Sequence, residues 1–309
     1  MNQSNHQRQG ARARNLRDRL SDPHPLLGVE LRPPRRDLDG VRAMEAWIDV
    51  YHTVVGLSST DTVVLLTDNA IGTAEEENLK HLVTNLGDDA VRERIVPVLT
   101  LKHPLDYCLW YADRARSEGF PGLIVLGGDP NDAVPRCLPH AWQLREVLRE
   151  RNPGHMLGGW ANLYADPAEQ VGFLLRQADG LDFILTQVLS HHDLGPVEAF
   201  LEEAARRGLD LPLFAGVFFY RSARPETLEK LSQFIPVPVA GLQGDFGERG
   251  LSAEEIAAET LRRLRDLGFS RFYVSNLETR QASRRLASIA ATAGFPAPAP
   301  LQPEGRRRR

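Results

Sequence analysis

Short apolar runs alternate with amphipathic stretches along most of this chain. The runs are Gly28–Leu31, Thr62–Thr67, Ile95–Leu101, Gly122–Leu126, His155–Trp160, Phe183–Val188, Leu213–Phe218 and Arg271–Val274. They are rich in Val, Ile and Leu and too continuously apolar for strands with one wet face, so they read as parallel strands covered on both sides. A further apolar piece, Val237–Leu242, reads as a short strand or a loop.

The segments between the runs repeat at helical spacing. Val41, Met44, Trp47, Ile48 and Tyr51 form one stripe, and Leu79, Leu82, Val83 and Leu86 form the next. Thr73 with Glu76 supplies a capping box ahead of the second stripe, which stops near Gly87. Asp166-Pro167 with Glu169 opens another helix, Ser252 with Glu255 opens a third, and one starts near Pro196. Gly119, Gly208 and Gly268 each follow a helical stretch and precede a strand, as C-terminal caps do.

This alternation predicts an α/β fold of one class, a closed (β/α)8 TIM barrel. The competing open, doubly wound sheet would carry GxGxxG after its first strand, and none is present. The barrel is expected over residues 25–293, with a polar, basic, disordered tail over 1–24 and a disordered Pro/Ala/Arg-rich tail over 294–309.

Composition adds limits. A chain of 309 residues, 42% hydrophobic with a net charge of −4, suits one large domain and gives no overall attraction to nucleic acid or an acidic membrane. The closing run Arg306–Arg309 reads as a solvated tail. Cys108 and Cys137 are expected in helices as reduced thiols, which with the lack of a signal-peptide core points to the cytoplasm. No stretch approaches the ~20 apolar residues of a membrane helix. Helix-lined barrels often pair, which leaves a homodimer open.

In such barrels chemistry gathers at the C-terminal strand ends. Those ends offer Glu30; Asp68 and Asn69; Lys102 and His103; Gly127, Gly128 and Asp129; Trp160, Asn162 and Tyr164; Gln187; Phe218, Phe219 and Tyr220; and Ser275 and Asn276. Glu30 stands on a rigid strand that Pro33 and Pro34 force to end. Carboxylates, amides and aromatics together suit a flat heterocycle with donor and acceptor edges. Bland readings stand beside these. Asp129 fits a turn cap with Pro130, Gln187 a satisfied core amide, and His103 a structural role. His191, His192 and Asp193 offer metal-ligand types. Adjacent histidines project differently, though, and no HExxH is present, so a polar loop and no metal are expected. No GxSxG elbow marks a hydrolase.

The order Val29-Glu30-Leu31-Arg32-Pro33-Pro34, Leu99-Thr100-Leu101, Leu126-Gly127-Gly128-Asp129-Pro130, Asp182-Phe183-Ile184-Leu185-Thr186-Gln187 and Pro212-Leu213-Phe214-Ala215-Gly216 resembles methylenetetrahydrofolate reductase. The resemblance runs from about Gly28 to Ala290. It implies reduction of 5,10-methylenetetrahydrofolate to 5-methyltetrahydrofolate, a step in one-carbon metabolism and methionine biosynthesis. Glu30 would be the general acid that opens the ring to an iminium ion. Asp129 would favour that cation, and Gln187 would hydrogen-bond the folate.

The departures concern the family's FAD. Its third-strand histidine is missing, Gly127 replaces its arginine, and the segment Gly158–Pro167 lacks its Tyr-Pro and histidine. These losses resemble a flavin-free branch using NADH or NADPH as direct hydride donor. Gly127, Gly128, Trp160 and Asn162 would then face the nicotinamide cofactor, and Asn69, Phe219 and Tyr220 would join Gln187 at the folate. An FAD-dependent reductase and a non-catalytic folate-binding barrel are the alternatives.

Overall fold

The computed structural model describes residues 15–68, 77–86, 90–128 and 134–301. Strands β1 (Leu26–Leu31), β2 (Thr62–Leu66), β3 (Ile95–Thr100), β4 (Gly122–Leu126), β5 (Met156–Ala161), β6 (Phe183–Leu189), β7 (Leu213–Phe218) and β8 (Arg271–Ser275) follow one another round a closed barrel. Every neighbouring pair is parallel, and β1 closes on β8. The expected (β/α)8 barrel is therefore the observed one. The strand bounds differ from expectation only at their ends.

Side chains alternate across the wall, as the two-residue strand period requires. Leu26, Val63, Leu65, Val96, Val98, Ile124, Met156, Phe183, Leu185, Phe214 and Tyr273 fill the barrel interior. Val29, Val64, Leu99, Val125, Leu157, Ile184, Ala215, Phe272 and Val274 face the helical layer. Parallel strands with both faces buried thus explain the continuous apolar runs.

The outer layer consists of α2 (Gly40–Ser58), α3 (Asn78–Asn85), α4 (Leu105–Ser117), α5 (Ala141–Arg151), α6 (Pro167–Leu175), α7 (Gly195–Arg207), α10 (Ala253–Asp266) and α11 (Ala282–Thr292). The β7–β8 crossover also holds α8 (Pro225–Ser232), α9 (Val239–Gln243) and a π-helical turn, Gly244–Glu248. The apolar piece expected as strand or loop over Val237–Leu242 is thus mainly helix, because it leaves the barrel wall and packs Leu242 against Tyr220, Leu228 and Ile256.

The caps at Asp166 and Ser252 form as the sequence predicts, each accepting from the backbone N–H three residues on. Gly119, Gly208 and Gly268 adopt φ of 84°, 71° and 98°, the left-handed region that glycine enters without a Cβ penalty. The capping pair Thr73 and Glu76, and Gly87, lie outside the described residues.

Both tails correct the expected boundaries. A helix α1 (Leu16–Ser21) precedes β1 and drives Leu16 and Leu20 into the bottom of the barrel interior. Arg19 is held there by Asp22 and Asp61 at 3.1 and 2.9 Å. At the other end Phe295 is buried beside Phe272, and Pro300 bridges to Thr60. The polar composition hid these few apolar anchors. Cys108 lies in α4, but Cys137 precedes α5 rather than lying in a helix, and both thiols are free. No helix among the described residues is long and apolar enough to cross a membrane.

Candidate functional site

Glu30 is the last inward position of β1. Leu26 below it belongs to the interior cluster, and the two-residue period carries Gly28 and Glu30 to the same face. β1 runs beside β8 with Gly28 opposite Tyr273, and continuing that register sets Ser275 beside Glu30. The Ser275 hydroxyl donates to Glu30 Oε1 at 2.8 Å. The side chain is only part-buried, so its carboxyl stands at the mouth rather than in the core.

The floor beneath is Tyr273. Its hydroxyl donates to the Thr186 carbonyl at 2.6 Å, passing over Gly216 of β7, where a Cβ would lie 2.5 Å from that oxygen. Burial, reinforced by the nearby charge of Glu30, pushes the Tyr273 phenol well above its usual range, so it remains a donor. The interior below it is filled by side chains, which makes the mouth a dish rather than a pore.

Other expected residues divide. Trp160 lies on β5, two and four residues beyond the inward positions Gly158 and Met156, and is 41% exposed. Gln187 sits where the β6–β7 register shifts between Leu185 and Val188, and its Oε1 accepts from the Val188 N–H at 2.9 Å. One end of that amide therefore repairs the irregular ladder. Asn162 accepts the Tyr164 N–H at 3.1 Å with its side-chain oxygen, an Asx turn that shapes the β5–α6 loop. Asp68 is nearly fully buried. It accepts the Thr100 N–H and hydroxyl at 2.9 and 2.8 Å and pairs with His103 Nε2 at 2.8 Å, tying the end of β2 to the end of β3. Asn69 and Asp129 lie outside the described residues.

Two expected folate contacts are corrected. Phe219 is fully buried in the helical layer, with the Arg285 guanidinium of α11 5.1 Å above its ring. Tyr220 packs with Leu228, Leu242 and Ile256, and burial pushes its phenol upward. The β7 alternation explains Phe219, while Tyr220, two positions past the end of β7, is buried by the crossover helices. Phe214 points inward, and the two-residue period carries Gly216 and Phe218 to the same face; Phe218 is half-buried at the end of β7, with its ring 4.8 Å from that of Tyr220. Beside it, burial pushes the Tyr164 phenol up to about 12, and its oxygen accepts the Ser190 N–H.

Gly127 and Gly128 give a feature that sequence reading missed. A Cβ on Gly127 would lie 3.2 Å from the Arg136 guanidinium carbon, and one on Gly128 would lie 2.7 Å from Lys102 Cε. Gly128 has φ of 80°, and its carbonyl accepts from Arg136 at 2.9 Å. Two cations thus lie against the glycine pair. Arg136 follows Gly127 by nine positions, with no motif to announce it.

Comparisons with known proteins bear on the fold. No protein-family model matches the chain, and no curated protein matches it. Among solved structures, an uncharacterized protein from Clostridium thermocellum that binds two copies of 5-methyl-5,6,7,8-tetrahydrofolic acid is similar with a TM-score of 0.66. Identity is 14%, over 90% of this chain and 97% of that one. Pyruvate carboxylase from Rhizobium etli is similar at a TM-score of 0.46 and 13% identity, over 93% of this chain and 24% of that one. At 14% identity, the likeness to the Clostridium thermocellum protein shows the fold alone.

The loop after β6 also departs from expectation. The Asp193 N–H donates to the Ser190 carbonyl, and the turn brings the rings of His191 and His192 to 3.9 Å between centroids. Their partner is not Asp193 but Asp245 of the π-helical turn. His192 Nε2 lies 2.8 Å and His191 Nε2 3.3 Å from Asp245 Oδ2. On the N-terminal face, a cleft lined by Leu20, Ser21, Asp210, Leu211 and Arg271 is the seam of the α1 plug, remote from the strand ends.

Proposed function

We propose that the protein binds a reduced folate at the C-terminal mouth and reduces 5,10-methylenetetrahydrofolate to 5-methyltetrahydrofolate with hydride from NADH or NADPH. The observation that carries this reading is the setting of Glu30. It is an inward carboxyl on a rigid strand, anchored by Ser275 and backed by a tyrosine floor. The aromatics Trp160 and Phe218 stand at the ends of β5 and β7, the two strands that flank β6, and suit a flat ring. The sequence motifs around the eight strands support it. So does the Clostridium thermocellum barrel, which binds a methylated tetrahydrofolate.

In this mechanism Glu30 gives a proton to the ring nitrogen of the bound folate. The five-membered ring opens, and the exocyclic carbon becomes an iminium centre. Ser275 holds the carboxyl in place for that transfer. Asp129, three positions after β4 in sequence, would stabilise the cation, and Gln187 would orient the pterin through the end of its amide not engaged by Val188. The nicotinamide supplies hydride when bound. The Gly127-Gly128 backbone, with Arg136 and Lys102 against it, would hold its pyrophosphate.

The same cations bear on the flavin question. A glycine at 127 removes one arginine, but Arg136 restores a guanidinium to that place, and FAD and NADH both carry a pyrophosphate. Flavin independence therefore rests on the third- and fifth-strand departures alone. A purified sample should show no stoichiometric flavin band in the blue, and should oxidise NADH only when methylenetetrahydrofolate is added. A flavin band with that activity would restore the FAD-dependent version. Folate binding without NADH oxidation would leave a binding barrel and overturn the reductase reading.

A further inference from the structure

We propose that His191, His192 and Asp245 form a zinc site that ties the β6–α7 loop to the π-helical turn of the β7–β8 crossover. The three potential ligand atoms lie within 4.8 Å of one another. Two imidazoles and one carboxylate are borderline donors that suit zinc in its open arrangement, with three protein ligands and a water in the fourth position. A tetrahedron with the usual zinc bond lengths has edges of roughly 3.3 Å. The His191 Nε2 to Asp245 Oδ2 separation is already 3.3 Å. The His192 Nε2 to Asp245 Oδ2 separation of 2.8 Å needs to open by a fraction of an ångström.

The second observation is the state of His191. Its side chain is 8% exposed, and its Nε2 has no hydrogen-bond partner among the described residues. The hydrogen-bond network accounts for that. Thr260 gives its hydroxyl hydrogen to the Ile256 carbonyl at 3.2 Å, so at 2.8 Å it must accept from His191 Nδ1. In the neutral ring the proton is thereby committed to Nδ1, and Nε2 presents a lone pair. That lone pair faces a carboxylate oxygen. Two acceptors at this distance repel unless a cation lies between them. An imidazole oriented by a hydroxyl through its other nitrogen is the outer-shell arrangement that metal-binding histidines use.

The surroundings are shaped for the same purpose. Arg249 holds the other oxygen of Asp245 at 2.8 Å and leaves Oδ2 to the two rings. Gly241 lies flat against His192, where a Cβ would come within 2.4 Å of the ring. Asp245 itself sits in a π-helical turn, a rare distortion often kept at functional sites. The His192 side chain, 21% exposed, marks the side from which the fourth ligand, water, would enter.

The test uses the full chain without a histidine tag, stripped with a chelator and then given zinc sulfate. Retained metal is measured by mass spectrometry after gel filtration, and affinity by competition with a chromophoric chelator. We expect about one equivalent retained, and cobalt in place of zinc should give the intense visible bands of a tetrahedral site. His192→Ala and Asp245→Asn should lose the bound equivalent. Thr260→Val, which keeps volume and touches no metal, should bind about 10- to 100-fold more weakly. If Asp245→Asn does not fold, His192→Ala decides, since that side chain is part-exposed and tolerant. Wild-type protein that retains far less than one equivalent at micromolar zinc would overturn the proposal. So would a His192→Ala variant that retains as much as wild type, because the chain has nine histidines and binding would then lie elsewhere.

Discussion

At the scale of single residues, the proposal depends on one proton and its supports. Glu30→Gln keeps shape and removes the acid, and turnover should fall by roughly 10²- to 10⁴-fold with melting behaviour unchanged. Near wild-type rates in that variant would remove Glu30 from the chemistry. Ser275→Ala leaves the acid but removes the hydroxyl that donates to its Oε1. It should cost far less turnover than Glu30→Gln, with little change in folate KM, and steady-state kinetics separate the two cases. Glu30 could be read from the sequence because two prolines fixed where its strand stops. Phe219 could not be assigned correctly because a one-residue difference after β7 decides which face a ring meets, and Tyr220 because residues distant in sequence, Leu228, Leu242 and Ile256, cover it. Only the two-residue period from the inward Phe214 puts Phe218 on the inner face at the end of β7. Arg136 was invisible for another reason. It reaches the glycine pair across a loop, and loops carry no periodicity to read.

Among the elements, strands were legible nearly to the residue, since parallel strands buried on both faces write themselves as unbroken apolar runs. Helix α10 was legible from its cap, and Ser252→Ala should destabilise the protein by about 1 kcal/mol in denaturant unfolding, with activity kept. Helix α1 was not. Six mostly polar residues bury only Leu16, Arg19 and Leu20, too short a pattern to show a period. Close backbone approaches were hidden as well. On β7, Gly216→Ala would force a methyl against the Tyr273 hydroxyl, an overpacking cost of about 1–3 kcal/mol. Because the displaced ring lies under Glu30, turnover should fall together with stability. A loss of stability with turnover intact would show that the floor does not position the acid.

Across the whole molecule, Asp182 joins parts distant in sequence. It pairs with Arg17 ahead of β1 and Arg149 of α5 at 2.9 and 2.5 Å, and accepts the Leu157 N–H of β5 at 2.8 Å. Burial alone would raise its carboxyl. The Arg149 hydrogen bond and the Leu157 amide outweigh burial and hold it below the usual range. A lowered folded-state value means this contribution is complete at neutral pH and is lost as pH falls from about 4 downward. In Asp182→Asn, melting temperature should drop at pH 7 and then vary less than wild type as the solution is acidified. Parallel pH curves for the two proteins would show that the junction carries no linkage.

The tyrosine bar across β6, β7 and β8 has a kinetic consequence. If the protein is the proposed reductase, the described side chains that fill the barrel beneath that bar leave its two reactants a shared doorway. Whichever lies deeper must arrive before its companion and depart after it. Turnover should therefore follow a compulsory order, and the inner product should compete only with the first reactant to enter.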